Sequence, residues 1–217
     1  MIPADTNLAR DPERPARLLR AEHDALLPIL HRTAEDAFDR PTACPGWSVR
    51  DVLAHCAAAM TRVATGRLHA FTPELNELDV ARRRGLPLHA LLSELEHGYL
   101  AAGTRMGGAG GALDVIALGE WLHGGDVRDA LGEPMAYASE GFDDALILLV
   151  DWTRRRAVPL VEARIPDAHW LGTASPARPY ATLRAGPATL MRLFAGRPTD
   201  TAGYQLTGAS AEELVVF

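Results

Sequence analysis

The stretch "GEWLHGGDVRDALG" places two ionisable side chains, Glu120 and His123, one helical turn apart. On a helical wheel of roughly 100° per residue, both fall within an apolar stripe. The other members of that stripe are Leu113, Ile116, Val127, Ala130 and Leu131. A carboxylate in an apolar stripe is costly unless it is paired or bound to a metal. The pattern therefore predicts a mutual hydrogen bond, an ion pair with a buried arginine, or a metal site, since Glu-x-x-His is a ligand spacing of helical bundles.

A third candidate ligand is His55, in "SVRDVLAHCAAAM". It lies at the edge of the apolar stripe of its helix, a position that borders a cleft. Taken alone, His55 is typical of a histidine at a bundle rim that has its hydrogen bonds satisfied. Together with Glu120 and His123 it completes a set of two histidines and one carboxylate, which leaves a fourth position open on zinc. Iron and nickel accept the same ligand types.

Other candidate sites are weaker. Glu94 and His97 repeat the Glu-x-x-His spacing, but His97 lies opposite the apolar stripe of its helix and should face water, so a two-metal site is not indicated. The glycines of "GGAGG" follow a helix rather than a strand, which favours a helix-terminating loop over a phosphate-binding loop. Cys56 lies inside the apolar stripe of its helix and is expected in the core.

The bulk composition excludes several classes of protein. The chain has 217 residues, a net charge of -6 and no lysine, whereas nucleic-acid binders are normally basic. No apolar run is long enough to span a bilayer, and the first residues lack the layout of a secretory signal. The two cysteines, Cys44 and Cys56, are too few for a disulfide framework or a thiolate-rich zinc site. We expect a cytoplasmic protein that binds neither nucleic acid nor membrane and is a monomer or homodimer.

Helix signals dominate the chain up to residue 158. Asp11 and Pro12 should open a first helix that runs to about Phe38, and Ser48 should cap a second that runs to about His69. A polar connection follows. Three further helices are predicted: one from Leu88, one over the opening stretch and one over roughly 139–158.

The sequence pattern changes from helical to β-prone after Pro159. Short β-prone pieces ("HWLGTA", "YATLRAG" and "YQLTG") surround one helical piece, "PATLMRLFAG". The fold class is therefore mainly α. We predict a helical bundle over residues 1–158, followed by a small α+β C-terminal domain over residues 159–217.

Two motifs carry a resemblance to a known family. "PTACPGWSVRDVLAHCA" resembles the signature T-x-C-x-G-W-(S/T)-V-(R/K)-D-x-x-x-H of the DinB-like mycothiol-dependent maleylpyruvate isomerase superfamily. "EWLHGGDVRDALG" resembles its second signature, an acidic residue followed by H-x-x-D-x-x-x-A-x-G. "LMRLFAGRPTDTAGYQLTGA" is similar to the small domain that follows the bundle in the actinobacterial branch. The resemblance covers nearly the whole chain.

This resemblance implies an up-down bundle that holds one divalent metal, usually zinc, and uses a thiol such as mycothiol as co-substrate. The family's first ligand falls on His55 and its last on His123. Its middle ligand sits four residues before the last, where this chain has Gly119, and the nearby carboxylate of Glu120 is taken as the third ligand. An arginine that lines the pocket of the small domain falls on Arg197.

The implied activity is isomerisation or S-transfer on a small, anionic electrophile. A metal-stabilised thiolate would add to an activated double bond, allow rotation and leave, or it would displace a leaving group or open an epoxide. Asp126 would orient a ligand or a substrate group, and Arg197 would hold a substrate carboxylate. Arg192 is the second choice for the pocket arginine and would contact the cofactor. Two alternatives remain: a thiol-independent metal-dependent lyase or cyclase of a biosynthetic pathway, and a non-catalytic binding protein of the same fold.

Overall fold

The computed structural model describes residues 10–68 and 72–217. Helices form most of it, and a four-stranded sheet lies in the C-terminal part. The helices are α1 (Arg14–Arg32), α2 (Val49–Thr65), α3 (Pro73–Arg83), α4 (Leu88–Gly107), α5 (Asp114–Leu131), α6 (Phe142–Arg155) and α7 (Pro187–Phe194). The strands are β1 (Val161–Ile165), β2 (Asp167–Leu171), β3 (Ala181–Ala185) and β4 (Tyr204–Thr207). The predicted fold class, mainly α with a small α+β part after the bundle, is confirmed.

The sheet has the strand order β2-β1-β3-β4. Strand β1 pairs antiparallel with β2 and parallel with β3, and β3 pairs antiparallel with β4. Three of these strands and α7 match the predicted pieces, whereas β1 was not predicted. Its alternate residues Val161, Ala163 and Ile165 are buried, which is the pattern of a strand with one face on the core.

Helix α2 begins as predicted, at a capping box. The side chain of Ser48 accepts a hydrogen bond from the backbone N–H of Asp51, and the Asp51 carboxylate accepts one from the backbone of Ser48. The predicted end near His69 is wrong, because Gly66 adopts a left-handed conformation with φ of 68° and ends the helix at Thr65. His69 itself lies outside the described residues.

Other helix boundaries also differ from the predictions. Helix α1 stops at Arg32, and the chain then forms a short 3-10 turn over Glu35–Asp39 instead of continuing as α-helix to Phe38. The polar connection contains an unpredicted helix, α3, which Thr72 caps by accepting a hydrogen bond from the backbone N–H of Leu75. This helix buries few side chains, so its apolar periodicity is weak.

The buried hydrophobic side chains form one continuous cluster that includes residues of the bundle and residues of the sheet. Leu18 of α1, Trp121 of α5 and Leu183 of β3 all belong to it. The division of the chain into domains 1–158 and 159–217 stays a prediction. Within the described ranges, no helix is both long and apolar enough to cross a membrane.

Candidate functional site

The carboxylate of Asp126, which is fully buried on α5, is the centre of a polar cluster. Its Oδ2 atom lies 3.0 Å from Nδ1 of His123, one turn earlier on the same helix. Arg197, which follows α7, donates to both carboxylate oxygens, from Nε at 2.7 Å and from Nη2 at 2.9 Å. The hydroxyl of Tyr137 donates to Oδ1 at 2.5 Å. Elements distant in sequence therefore converge on this one carboxylate.

These donors keep Asp126 ionised. Burial alone would raise the pKa of its carboxyl group, but hydrogen bonds and charge from His123 and Arg197 outweigh burial, so the pKa lies below its ordinary value. A carboxylate only accepts hydrogen bonds, so Nδ1 of His123 must be the donor of that contact. The Nε2 atom of a neutral His123 is then left with its lone pair, which is the form in which histidine binds a metal or accepts a proton.

His55 of α2 lies beside His123. The two imidazole rings meet edge to face, with centroids 5.1 Å apart. The indole ring of Trp47 lies at the same centroid distance, 5.1 Å, from His55, while its Nε1 donates to Glu77 at 2.6 Å. Burial, together with the charges of His123 and Arg62, lowers the pKa of His55 to about 3, so its imidazole is neutral at physiological pH. The structure thus brings together two of the predicted ligands.

Cys44 also belongs to this cluster, and the only sequence feature that pointed to it is its position in the first signature. Its thiol donates to Oδ2 of Asp126 over 3.0 Å, and Nη2 of Arg197 donates to its sulfur over 3.4 Å. Burial and the negative charge of Asp126 raise the pKa of Cys44 to about 12. Cys44 is therefore a protonated hydrogen-bond donor and a poor nucleophile at neutral pH.

Glu120 faces a different part of the molecule. Its side chain is buried in the bundle beside the thiol of Cys56, with the carboxyl group of Glu22 close enough to repel its charge. Burial raises the pKa of Glu120 to about 8, opposed by the contact with Cys56 and reinforced by Glu22. Of the arrangements that the sequence pattern allowed, a direct hydrogen bond between Glu120 and His123 is replaced by the contact of His123 with Asp126.

Two arginines of the C-terminal part, Arg192 and Arg197, contact carboxylates of α5. Four contacts of Arg197 use most of its five N–H groups, on Asp126, on Cys44 and on the carbonyl oxygen of Ala195. The guanidinium group of Arg192 stacks over the ring of Tyr137, 4.4 Å from its centroid, and binds Asp129. Both arginines therefore join the C-terminal part of the chain to α5.

A divalent metal fits two of the predicted ligands. His55 and His123 are adjacent, His55 is neutral at physiological pH, and the contact of Nδ1 of His123 with Asp126 leaves Nε2 as the His123 nitrogen available to a metal. In the part of the chain that the structure describes, one group of three potential ligands has all its ligand atoms within 4.8 Å of one another, and it consists of Cys44, His123 and Asp126. A metal between those three would have to displace the Cys44 proton and the Arg197 guanidinium, so the histidine pair is the better fit.

Close packing requires glycine at the two positions after His123. A Cβ atom on Gly124 would lie 1.7 Å from Oε1 of Glu22, and one on Gly125 would lie 2.5 Å from the ring of Tyr137. Gly124 thus makes room for a carboxylate that pairs with Arg128, and Gly125 makes room for the tyrosine that donates to Asp126. These glycines admit side chains of the protein itself.

Replacing Gly124 by alanine is expected to destabilise the protein by about 1–3 kcal/mol, because the buried Glu22 cannot move aside without breaking its ion pair. The loss from the collision with Glu22 outweighs the gain in helix propensity on replacing glycine by alanine, which is about 1 kcal/mol. Gly119→Ala is the matched control on the same helix, since its Cβ would meet no atom within 4 Å, and it should be neutral or stabilising. Urea unfolding of both variants measures the difference, and equal stabilities would contradict the packing argument.

Comparison with known proteins shows the family to which the chain belongs. Residues 19–132, more than half of the chain, match the mycothiol maleylpyruvate isomerase N-terminal domain. The chain therefore belongs to the family defined by that domain. The matched region contains Cys44, His55, His123 and Asp126, whereas Arg197 lies outside it.

Solved structures show the same fold. The crystal structure of the mycothiol-dependent maleylpyruvate isomerase matches with a TM-score of 0.63 and 17% identity, over 93% of this chain and 95% of that chain. The crystal structure of a histidine-to-alanine mutant of that isomerase matches with the same TM-score of 0.63, at 16% identity and with the same coverage of 93% and 95%. A search of curated proteins finds no match. The fold is shared over nearly the whole length of both chains.

Proposed function

We propose that the protein is a metal-dependent enzyme that uses a low-molecular-weight thiol, such as mycothiol, for isomerisation or S-transfer on a small, anionic electrophile. The observation that carries the proposal is the pairing of His55 with His123, whose ring centroids lie 5.1 Å apart, together with the contact of Asp126 on Nδ1 of His123. Membership of the mycothiol maleylpyruvate isomerase family supports the choice of thiol, and the name of the structural relative supports isomerisation.

Each residue of the cluster has a role in this proposal. His55 and His123 would hold the metal, most simply zinc, which when bound supplies a Lewis acid that stabilises a thiolate at neutral pH. Asp126 would keep the proton of His123 on Nδ1, which leaves Nε2 as the nitrogen that can bind the metal. Arg197 keeps Asp126 ionised and has one N–H group, on Nη1, left over for a substrate carboxylate.

The reaction on the substrate follows ordinary thiol chemistry. The thiolate sulfur forms a C–S bond with one carbon of a double bond conjugated to a carbonyl, and the π electrons move onto the carbonyl oxygen. The remaining single bond rotates, the electrons return, and the C–S bond breaks to release the thiolate and the isomerised product. For S-transfer, the same thiolate displaces a leaving group or opens an epoxide, and the C–S bond remains.

Two measurements on purified protein test the proposal. Zinc content is compared between the wild type, His55→Ala and His123→Ala, with the exposed His97→Ala of α4 as the matched control. We expect the two site variants to lose bound metal and His97→Ala to retain it. Equal metal content in all four proteins would overturn the site assignment.

The second measurement supplies mycothiol and an unsaturated dicarboxylic acid, and it follows both cis–trans isomerisation of the acid, which regenerates the thiol, and loss of free thiol, which reports S-transfer. Thiol-dependent turnover by the wild type, lost in both site variants, is the expected result. Turnover that needs the metal but no thiol would favour a lyase or cyclase instead. Absence of turnover with any thiol or electrophile would favour the binding protein, for which the position of Glu120, three rather than four residues before His123, is the sequence argument.

A further inference from the structure

The face of α5 that carries His123 also carries Gly119, one turn earlier. Gly119 and His123 are both partly exposed, whereas Glu120 is 2% exposed and faces the bundle interior. Residues four apart lie on the same side of a helix, so a side chain at position 119 would project beside the imidazole of His123. The residue of α5 best placed to add a third donor is therefore the one that has no side chain.

Glu120 cannot easily take over this role. One residue along a helix corresponds to a rotation of roughly 100°, which directs its carboxyl group toward α2 and the thiol of Cys56. In the described ranges, Glu120 belongs to no group of three potential ligands whose atoms lie within 4.8 Å of one another. Turning it toward His123 would abandon the contact with Cys56 and leave a buried gap in the bundle.

The space beside Gly119 is open. A Cβ atom placed there meets no atom within 4 Å, in contrast to Gly124 and Gly125 of the same helix, where a Cβ would collide with a side chain. A glycine inside a helix costs about 1 kcal/mol relative to alanine. Packing explains that cost at Gly124 and Gly125 but not at Gly119. Open space next to a histidine with an available Nε2 atom is what a bound small molecule requires.

We infer that the metal site of this chain has two protein ligands, His55 and His123, and that a carboxylate of the bound small molecule enters the space beside Gly119 as the third. Two neutral imidazoles leave the charge of a divalent cation uncompensated, and carboxylate oxygen is an accepted zinc ligand. The nearest acidic side chain, Asp126, is already held by Arg197 and Tyr137. This inference rests on the proposed function, because it assumes that the histidine pair binds a metal.

The inference is tested by zinc binding to the full-length protein, measured by calorimetry with and without maleate as the carboxylate probe. We expect maleate to tighten zinc binding to the wild type about tenfold or more. Gly119→Glu should bind zinc on the order of 100-fold more tightly than the wild type, because it supplies the carboxylate from the protein, and maleate should no longer matter. Gly119→Ala fills the space without adding a donor and should show neither effect.

The outcomes separate this inference from the proposed function. If zinc binding requires both histidines but is equally tight in the wild type and in Gly119→Glu, and maleate has no effect, the inference is overturned and the metal site stands. If His55→Ala and His123→Ala bind zinc as the wild type does, the metal site itself fails, and the inference fails with it. Circular dichroism of each variant establishes that the helices are retained.

Discussion

Replacing Glu22 by glutamine should lower the free energy of unfolding by about 3–5 kcal/mol. Glu22 of α1 and Arg128 of α5 are 0% and 2% exposed, and their charged groups approach to 2.8 Å. Burial raises the pKa of Glu22, and the charge of Arg128 opposes that rise. The glutamine variant would leave the guanidinium group buried without its counter-charge, and arginine cannot escape by losing its proton.

Urea unfolding at neutral pH measures this effect, and two controls define it. Glu213→Gln removes one partner of an exposed ion pair with Arg178 and should change the stability little, since water already screens that pair. The double variant Glu22→Leu, Arg128→Met removes both buried charges and should recover most of the lost stability. A glutamine variant as stable as the wild type would contradict the view that the pair is held as two charges.

Replacing Asp126 by asparagine is expected to weaken zinc binding and thiol turnover by about 10- to 100-fold, because the amide no longer fixes the proton of His123 on Nδ1. The same change removes the carboxylate partner of Arg197, which is partly buried, so the free energy of unfolding should also fall. Asp129→Asn is the matched control. It lies one turn further along α5 and also binds an arginine of the C-terminal part, Arg192, but in a more exposed position.

Zinc calorimetry, turnover and urea unfolding of the two variants are compared directly. A loss of zinc affinity confined to Asp126→Asn would support the role of the carboxylate in orienting His123. Equal losses in both variants would indicate instead that the arginine contacts act only by attaching the C-terminal part to the bundle. Nitrogen NMR of His123 provides a readout that a purely structural role would not move, namely which ring nitrogen carries the proton.

The sequence was sufficient to locate most of the helices and to place His55 and His123 together. Capping residues and apolar periodicity act locally, and the first signature links α2 to the same site. The burial of Glu120 in an apolar stripe was also foreseeable. Its partner was not, because the contact with Cys56 depends on how α2 packs against α5, which no local pattern specifies.

The remaining partners of the site come from distant parts of the chain. Tyr137 lies in an irregular segment where no sequence motif indicates a contact with Asp126. For Cys44, the only indication was its position in the first signature. Arg197 was expected at the pocket from the resemblance, but its engagement with Asp126 follows from the tertiary arrangement alone. The ion pair between Glu22 and Arg128 likewise depends on the packing of α1 against α5. The need for glycine at position 124 follows from that pair, because a Cβ atom there would collide with Glu22.

The contact of Arg197 with Asp126 spans 71 positions of the sequence and joins the C-terminal part of the chain to the helix that carries His123. The carboxylate that contacts His123 is therefore held in part by a residue from outside the bundle. Replacing the C-terminal part by that of a relative would change the hydrogen bonds to Asp126, and through them the contact of Asp126 with Nδ1 of His123, even if every residue of the bundle stayed the same. A substitution at Arg197 alone can thus change the hydrogen bonding of the carboxylate that contacts His123 while the bundle stays as it is.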